Sequence, residues 1–558
     1  MSYIQAKELS VTYPMEEIPA LPPLNLDIRK GEKILILGPS GSGKSTLALA
    51  LQGLIPRTIE AEKTGNVSVD GTAPENWAIA EACRHIGILF QDPDTQFCME
   101  TVEDEIIFGM ENIGLPVGEM EERLKEVLKI TGLEQRRLER LSSLSGGLKQ
   151  KAAIACLLAL DSDTYVLDEP TANLDPQSTE DILQLWIDIA DRQNKTLLFI
   201  EHKMESILEE IDRVIALRKE GGILAEGPPR EIFRRSLPAL EEQGVWVPEI
   251  CREALVREAE GKITWDQLPL NLKEWEAECS RHGIVKTRIE NKTPARPAMD
   301  TIPILEASGL SFFYDKKQVL RDVCFTLQAG EFAALVGANG AGKSTLAHII
   351  SGIHSPSNGT LLRKGKPSET WQPDDIMKQT GFVFQNPEHQ FITDTVEEEL
   401  TYGWRMAGMG PEEWKTELEE MLDLFQLQEK RKANPFSLSQ GQKRRLSVAT
   451  MLTSDQELLV LDEPTFGQDE ANTNALMNIL KRLHRQGKTI LMITHDMELV
   501  DQYTENVLLL DQGTIAYEGR TASFFEQTAM LHWASVQAPV SRELRQWRFA
   551  LERQEAPC

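Results

Sequence analysis

Short apolar runs along this chain end repeatedly on glycine or on acid, and that pattern predicts its skeleton. Lys33–Leu37 and Phe332–Val336 run directly into glycine-rich segments followed by residues compatible with a helix, in the order strand, loop, helix. The runs 165–167 and 458–461 are apolar without alternation, as expected of parallel strands buried on both faces, and each stops at an acid pair, Asp168–Glu169 or Asp462–Glu463. Two further runs, 196–200 and 489–494, predict strands that deliver His202 and His495. The longest strongly apolar stretches, such as 152–160, fall far short of the roughly 20 residues a bilayer crossing needs.

The skeleton is written twice. Gly38–Thr46 recurs as Gly337–Thr345, a shift of 299 positions (337 − 38). Phe90-Gln91-Asp92-Pro93, Leu144-Ser145-Gly146-Gly147 and Leu167-Asp168-Glu169-Pro170-Thr171 recur in the same order as Phe384-Gln385-Asn386-Pro387, Leu438-Ser439-Gln440-Gly441 and Leu461-Asp462-Glu463-Pro464-Thr465, each shifted by 294 (384 − 90, 438 − 144, 461 − 167). Unrelated motifs that keep register mean two copies of one domain, expected over 1–235 and 302–535. Between them, 236–301 places Trp246, Trp265 and Trp275 among acidic helix-forming stretches, ahead of the proline-containing run 291–297. A small helical appendage with the tryptophans as its local core, then a linker, is expected there, and 536–558 is expected to be a C-terminal tail.

Chemistry enters where those strands end. Both glycine-rich segments fit GxxxxGK[ST], in which glycines let backbone N–H groups curl around phosphate oxygens, the lysine neutralises outer-phosphate charge and the hydroxyl binds Mg²⁺. Gly38, Ser40, Gly41, Gly43, Lys44, Ser45 and Thr46 supply these parts in the first copy; Gly337, Asn339, Gly340, Gly342, Lys343, Ser344 and Thr345 supply them in the second. At the strand tips, Asp168 and Asp462 would hold the metal shell while Glu169 and Glu463 orient or activate an attacking water. His202 and His495, at equivalent positions, would hydrogen-bond the γ-phosphate and the water, and Gln91 and Gln385 would reach Mg²⁺ and water.

Composition narrows the setting. With 59 basic against 87 acidic side chains, the formal charge of −28 disfavours nucleic acid and anionic lipid surfaces alike. The seven cysteines are scattered and contain no CxxC pair, which fits a reducing compartment and disfavours both a disulfide framework and a structural zinc site. No basic region followed by a hydrophobic core opens the chain, so no secretory signal is expected, and any membrane role must come through a partner.

With Leu144-Ser145-Gly146-Gly147 and Leu438-Ser439-Gln440-Gly441-Gln442 set beside the phosphate loops, the chain resembles the ABC ATPases over nearly all of both copies. The resemblance implies an α/β fold of two P-loop NTPase ABC ATPase domains, each with a mostly parallel sheet core, an antiparallel β part and a helical signature subdomain. It implies ATP and Mg²⁺ as cofactors, with Tyr13 and Tyr314 stacking on adenine. It also implies that the two domains pair head to tail within the chain, each ATP lying between one phosphate loop and the other copy's signature. One site would then join Lys44, Asp168, Glu169 and His202 to Ser439 and Gly441; the other would join Lys343, Asp462, Glu463 and His495 to Ser145, Gly146 and Gly147. Asp175 and Asp469 match the family's dimer-contact loop.

Within the family, segments 90–97 and 384–391 are similar to those of energy-coupling-factor importers of vitamins or metal ions. Such systems use two ATPases, a transmembrane scaffold subunit and a separate membrane subunit that captures substrate. That implies a peripheral protein on the cytoplasmic face of the cell membrane, with Asp92, Asp94 and Glu388 where a partner's basic helix would dock. The tandem arrangement resembles ATPases assigned to thiamine or its hydroxymethylpyrimidine precursor; cobalt, cobalamin, biotin and riboflavin stay open.

Two other classes share the tandem layout. A ribosome-associated ABC protein would present basic side chains to RNA, whereas the interdomain region here carries Glu241, Glu242, Glu253, Glu258, Glu260, Glu274, Glu276 and Glu278. The fused ATPase of a sugar importer often has a degenerate second copy, whereas Glu463 and His495 are both present. The copies are nevertheless unequal. Leu148 stands where the family commonly has glutamine, and Gln440 replaces the first signature glycine. A side chain at Gln440 would hinder Ser439, if the glycine serves a close approach or a positive φ, and make the Lys44 site the slower one.

Overall fold

A computed structural model describes all residues except 1, 15, 92, 172, 173, 175, 202–204, 285, 287–301, 407, 453–455, 534, 535 and 555–558. His202, Asp92, Asp175 and the proline-containing run 291–297 therefore lie outside the described residues. The chain forms two units, Met1–Val285 and Lys286–Cys558.

Each unit is organised around a six-stranded sheet. In unit 1 the strands lie in the order Ile86–Leu89, Thr164–Asp168, Thr196–Ile200, Lys33–Leu37, Arg213–Leu217 and Ile223–Gly227, with only the last antiparallel. In unit 2 the same order is built from Thr380–Val383, Leu458–Asp462, Thr489–Ile493, Phe332–Val336, Asn506–Asp511 and Thr514–Arg520. The unalternating apolar runs have their explanation here: every residue of Thr164–Asp168, Thr196–Ile200, Leu458–Asp462 and Thr489–Ile493 is buried, because both faces of the sheet are covered.

A smaller antiparallel sheet precedes each core. Ser2–Thr12 pairs with Leu21–Arg29 and Glu62–Val69 in unit 1, and Leu305–Tyr314 pairs with Lys317–Leu327 and Asn358–Arg363 in unit 2. A helical subdomain completes each unit, formed by Val102–Asn112, Val117–Thr131 and Gly146–Leu160, or by Val396–Met406, Pro411–Leu424 and Gln440–Thr450. Both subdomains carry the same surface brace, in which Arg137 bridges Glu103 and Glu121, and Arg431 bridges Glu397 and Glu419. Among the described residues no helix is long and apolar enough to cross a membrane.

Two features differ from the reading of the sequence. The boundary expected after residue 235 falls inside the helix Pro229–Glu242. The C-terminal segment is not a bare tail, since the helix Val540–Gln554 docks on unit 2, with Arg542 on Asp501 at 2.9 Å and the Ser541 amide donating to Glu498 Oε1 at 3.0 Å. Unit 1 contains the counterpart: the amide of Glu249, at the start of Glu249–Ala259, donates to Glu205 Oε1 at 3.1 Å. The repeat thus extends into both C-terminal helical segments, each of which follows a Val-x-x-Pro run, 245–248 or 536–539, and places a backbone amide on the glutamate of a recurring His-x-Met-Glu, 202–205 or 495–498.

The tryptophans of the appendage do form its core. Trp265 and Trp275 are buried with ring centroids 4.7 Å apart, and Trp265 Nε1 donates to the Ala254 carbonyl at 2.7 Å. Trp275→Ala would leave a cavity in a fully buried site, and a loss of about 3–5 kcal/mol of stability is expected. Chemical denaturation followed by tryptophan fluorescence measures it; an unshifted unfolding midpoint would show that the site collapses without cost.

Candidate functional site

The phosphate loops begin where the central strands Lys33–Leu37 and Phe332–Val336 end, and each turns directly into a helix, Lys44–Gln52 or Lys343–Ile350. The turn requires a left-handed residue at the helix start, Gly43 at φ 87° and Gly342 at φ 105°. A Cβ on Gly43 would also sit 2.6 Å from the Ala20 carbonyl. The lysines fold back over their loops: Lys44 Nζ donates to the carbonyls of Gly38 at 2.7 Å and Pro39 at 3.1 Å, and Lys343 Nζ to those of Gly337 at 2.8 Å and Ala338 at 3.0 Å. The amides of these loops and helix N-termini, beside a buried ammonium, make each an anion-binding concavity.

The acid pairs lie on the neighbouring strand but one. Asp168 and Asp462 end their strands and are buried. The next residues, Glu169 at φ 49° and Glu463 at φ 47°, adopt the left-handed conformation rare for a side chain of this kind. Their amides are held by the carbonyls of Ile200 at 2.9 Å and Ile493 at 3.0 Å, so the sheet enforces the kink that turns each glutamate away from its aspartate. Burial pushes the Asp462 carboxyl up to about 6, partly opposed by a hydrogen bond from Ser344.

Each glutamate has a described polar partner from another element. In unit 1 the Gln91 amide donates to Glu169 Oε2 at 2.6 Å. In unit 2 His495 Nδ1 lies 3.1 Å from Glu463 Oε1, and the charge of that carboxylate pushes the imidazole pKa up. The aromatic pair differs. Tyr13 Oη lies 3.3 Å from Thr46 Oγ1 at the phosphate-loop helix, whereas Tyr314, half exposed, lies 3.2 Å from His354 Nε2.

The signature residues start helices. Ser145 and Ser439 are the N-caps of Gly146–Leu160 and Gln440–Thr450. Ser439 forms a reciprocal cap with Gln442, a bond that Leu148 does not offer Ser145. Gln440 is exposed at the first helical position and is not among the residues of positive φ, so backbone angle gives no reason for glycine there. The close approach belongs to the second glycine: a Cβ on Gly441 would meet Asn472 Oδ1 at 2.4 Å, and one on Gly147 would meet Leu174 Cδ2 at 3.3 Å. Asn472 in turn receives Arg445 and donates to Asp469 at 2.9 Å, linking the signature to the residue that caps Glu470–Arg485.

Two of the acids expected to receive a partner's basic helix are already engaged within their own unit. Asp94 pairs with Lys149 at 2.7 Å and Glu388 with Lys443 at 2.6 Å, both lysines standing on the signature helices. Reading the motifs singly also misses Arg444, whose guanidinium is buried and donates to the carbonyls of Phe384 and Gln385, each at 2.6 Å. Its signal in the sequence is the repeat itself, since the shift of 294 sets Arg444 against Gln150 (444 − 150).

The chain matches the family described as ABC transporter over residues 21–172 and again over 320–466. It is 37% identical, over 97% of its length and 96% of the relative's, to a protein of Bacillus subtilis (strain 168) named as an HMP/thiamine import ATP-binding protein. A Methanosarcina acetivorans protein named as an ABC transporter ATP-binding protein is 34% identical over 97% of this chain and 89% of the relative. The solved structure of cbiO1 from Clostridium perfringens, described as part of the ABC transporter complex cbiONQ, covers 45% of this chain and 99% of its own at 26% identity and a TM-score of 0.40.

Proposed function

This chain belongs to the ABC transporter ATP-binding family, with two ABC domains and ATPase activity as the family's chemistry, and from that premise we propose that it energises an energy-coupling-factor importer whose cargo is thiamine or its hydroxymethylpyrimidine precursor. The observation that carries the reading is the 37% identity, along almost the whole of both chains, to a relative named for HMP/thiamine import. The protein works on the cytoplasmic face of the membrane, held there by a transmembrane scaffold subunit and a membrane subunit that captures substrate.

The phosphate loops 38–46 and 337–345 bind the ATP phosphates through backbone amides and the ammonium groups of Lys44 and Lys343. Tyr13 and Tyr314 take the adenines. Ser45, Gln91 and Asp168, or Ser344, Gln385 and Asp462, offer one carboxylate with neutral oxygens, a donor set that suits Mg²⁺ completed by phosphate oxygens. The hydrogen bond between Ser344 and the buried Asp462 brings two of those donors together. Mg²⁺ would neutralise charge developing on the phosphates. Glu169 and Glu463 accept the proton of the attacking water, while His202 and His495 orient water and γ-phosphate. The family resemblance carries the further reading that Ser145, Gly146 and Gly147 serve the Lys343 nucleotide, and Ser439 and Gly441 the Lys44 nucleotide.

The pKa of Asp462 gives a test of the metal assignment. Its carboxyl stays protonated below about pH 6 and must ionise to hold a cation, so Mg²⁺ binding to unit 2 should release a proton and weaken about tenfold per pH unit below that point. Calorimetric titration of MgATP in buffers of different ionisation enthalpy reads both effects. Proton-neutral binding between pH 5 and 6 would remove Asp462 from the site.

Transport is tested by purifying the chain from gently solubilised membranes, identifying what accompanies it, and measuring ATP-dependent uptake of labelled thiamine and hydroxymethylpyrimidine into vesicles containing those partners. Co-purification with membrane subunits and uptake of either compound is expected. Association with ribosomes would overturn the importer, and uptake of neither compound would overturn the cargo.

A further inference from the structure

Arg444 lies on the signature helix Gln440–Thr450, at a position no motif assigns a function, and only 3% of it is exposed. One terminal nitrogen donates to the Phe384 carbonyl and the other to the Gln385 carbonyl, each at 2.6 Å. Those two carbonyls stand on either side of the Gln385 α-carbon. A planar guanidinium bonded to both therefore fixes the two peptide planes from which the Gln385 side chain projects. Burial lowers the guanidinium pKa to about 10, which leaves it charged at neutral pH, and the carboxylates of Asp462 and Glu463 favour that charge.

Unit 1 shows that the grip is not a requirement of the fold. The equivalent Gln150 is also fully buried on its signature helix, yet its amide donates to the carbonyl of Pro170, at 2.9 Å, in the turn that follows Glu169. Both units share the outer tie, Lys149 to Asp94 and Lys443 to Glu388. The side chain one position further along the helix thus reaches the acid turn in one unit and the glutamine backbone in the other.

We infer that Arg444 is a positioning residue that holds the Gln385 amide in register for ATP hydrolysis at the Lys343 site, and that Gln150 does not play this part for Gln91. The inference rests on the reading that Gln385 serves that site. Both terminal nitrogens of Arg444 are spent on the Phe384 and Gln385 carbonyls, so it acts through the backbone of Gln385. The phosphate loop, which carries most of the nucleotide contacts, is not among its partners, so its loss should appear in turnover rather than in affinity.

The experiment is a double-mutant cycle on the full chain, with kcat and KM for MgATP measured for Arg444→Gln, Gln385→Ala and the pair. Glutamine is the residue unit 1 already carries at this buried position, so the substitution has a precedent in the same fold; Arg444→Lys, which keeps the charge but not the fork, is the second variant. Arg444→Gln is expected to lower kcat about tenfold with KM changed less than twofold. The double variant should be no slower than Gln385→Ala alone, and Arg444→Lys should recover only part of the loss, since one ammonium cannot hold both carbonyls in the same plane. The same cycle against Gln91→Ala should be additive. Multiplying losses in the Arg444–Gln385 pair, or full rescue by lysine, would overturn the inference while leaving the site reading intact. A silent Gln385→Ala would instead overturn the assignment of Gln385, and this inference with it.

Discussion

Hydrolysis is expected to fall below detection when Lys44 and Lys343 are both changed to alanine. Each ammonium lies at the mouth of its loop, bonded to two loop carbonyls and almost wholly buried, where a charge acts on a phosphate with little screening. Removing one such stabilising group from a preorganised site commonly costs about 10²–10³ in rate, and no second buried cation stands on either loop. The loss combines weaker binding of the outer phosphates with loss of charge neutralisation in the transition state, so KM should rise and kcat fall together. Phosphate release under saturating MgATP gives the rate, and thermal unfolding checks that the loops still fold, because the lysines also brace the carbonyls beneath them. Undiminished hydrolysis in the double variant would exclude both loops as the phosphate sites. The single variants separate the units: a chain that needs both sites closed should lose nearly all its activity in either one.

The second large effect concerns the glutamates. Glu463→Gln is expected to reduce turnover by about 10² or more, the usual contribution of a positioned general base, and to reduce it more than Glu169→Gln does. Each carboxylate has a described polar partner. Glu463 faces His495, whose protonated form it favours, and the backbone carbonyl of Gln385 is held by Arg444. Glu169 accepts a 2.6 Å bond from Gln91, so the base and the amide expected at the metal hold each other and must part before either acts. Rates of the two single variants, measured with nucleotide binding as a control, decide the order. Equal losses would mean strict coupling of two competent sites, and a larger loss from Glu169→Gln would reverse the assignment. The backbone of Gln440 is ordinary helix and its side chain is exposed, so Gln440→Gly should leave turnover within about twofold, a change within the scatter of exposed substitutions.

The strands that deliver the site were legible residue by residue. Lys33–Leu37, Phe332–Val336 and Thr196–Ile200 occupy the bounds their apolar runs define, because a parallel strand covered on both faces must be apolar throughout and stops where its backbone meets solvent or ligand. The internal repeat multiplied the value of each motif. Legibility ended at the C-terminal helical segments, where Glu205 and Glu498 dock their helices through backbone amides. The acids themselves recur in His-x-Met-Glu at 202–205 and 495–498, but an amide donor constrains no particular side chain, so nothing local names the residue each acid holds.

Sequence by itself thus determined the double α/β skeleton, the phosphate loops, the acid-tipped strands and the family to which they belong, since each depends on local chemistry repeated in order. Only the tertiary structure decided how the residues of each site hold one another: Gln91 on Glu169, His495 on Glu463, Arg444 on the peptide planes of Gln385, and Gly441 against Asn472. The reason is distance along the chain. These partners stand between 30 and 80 positions apart, and whether a buried side chain such as Gln150 or Arg444 reaches the acid turn or the glutamine backbone depends on length and charge within a packed interior, which no local pattern records.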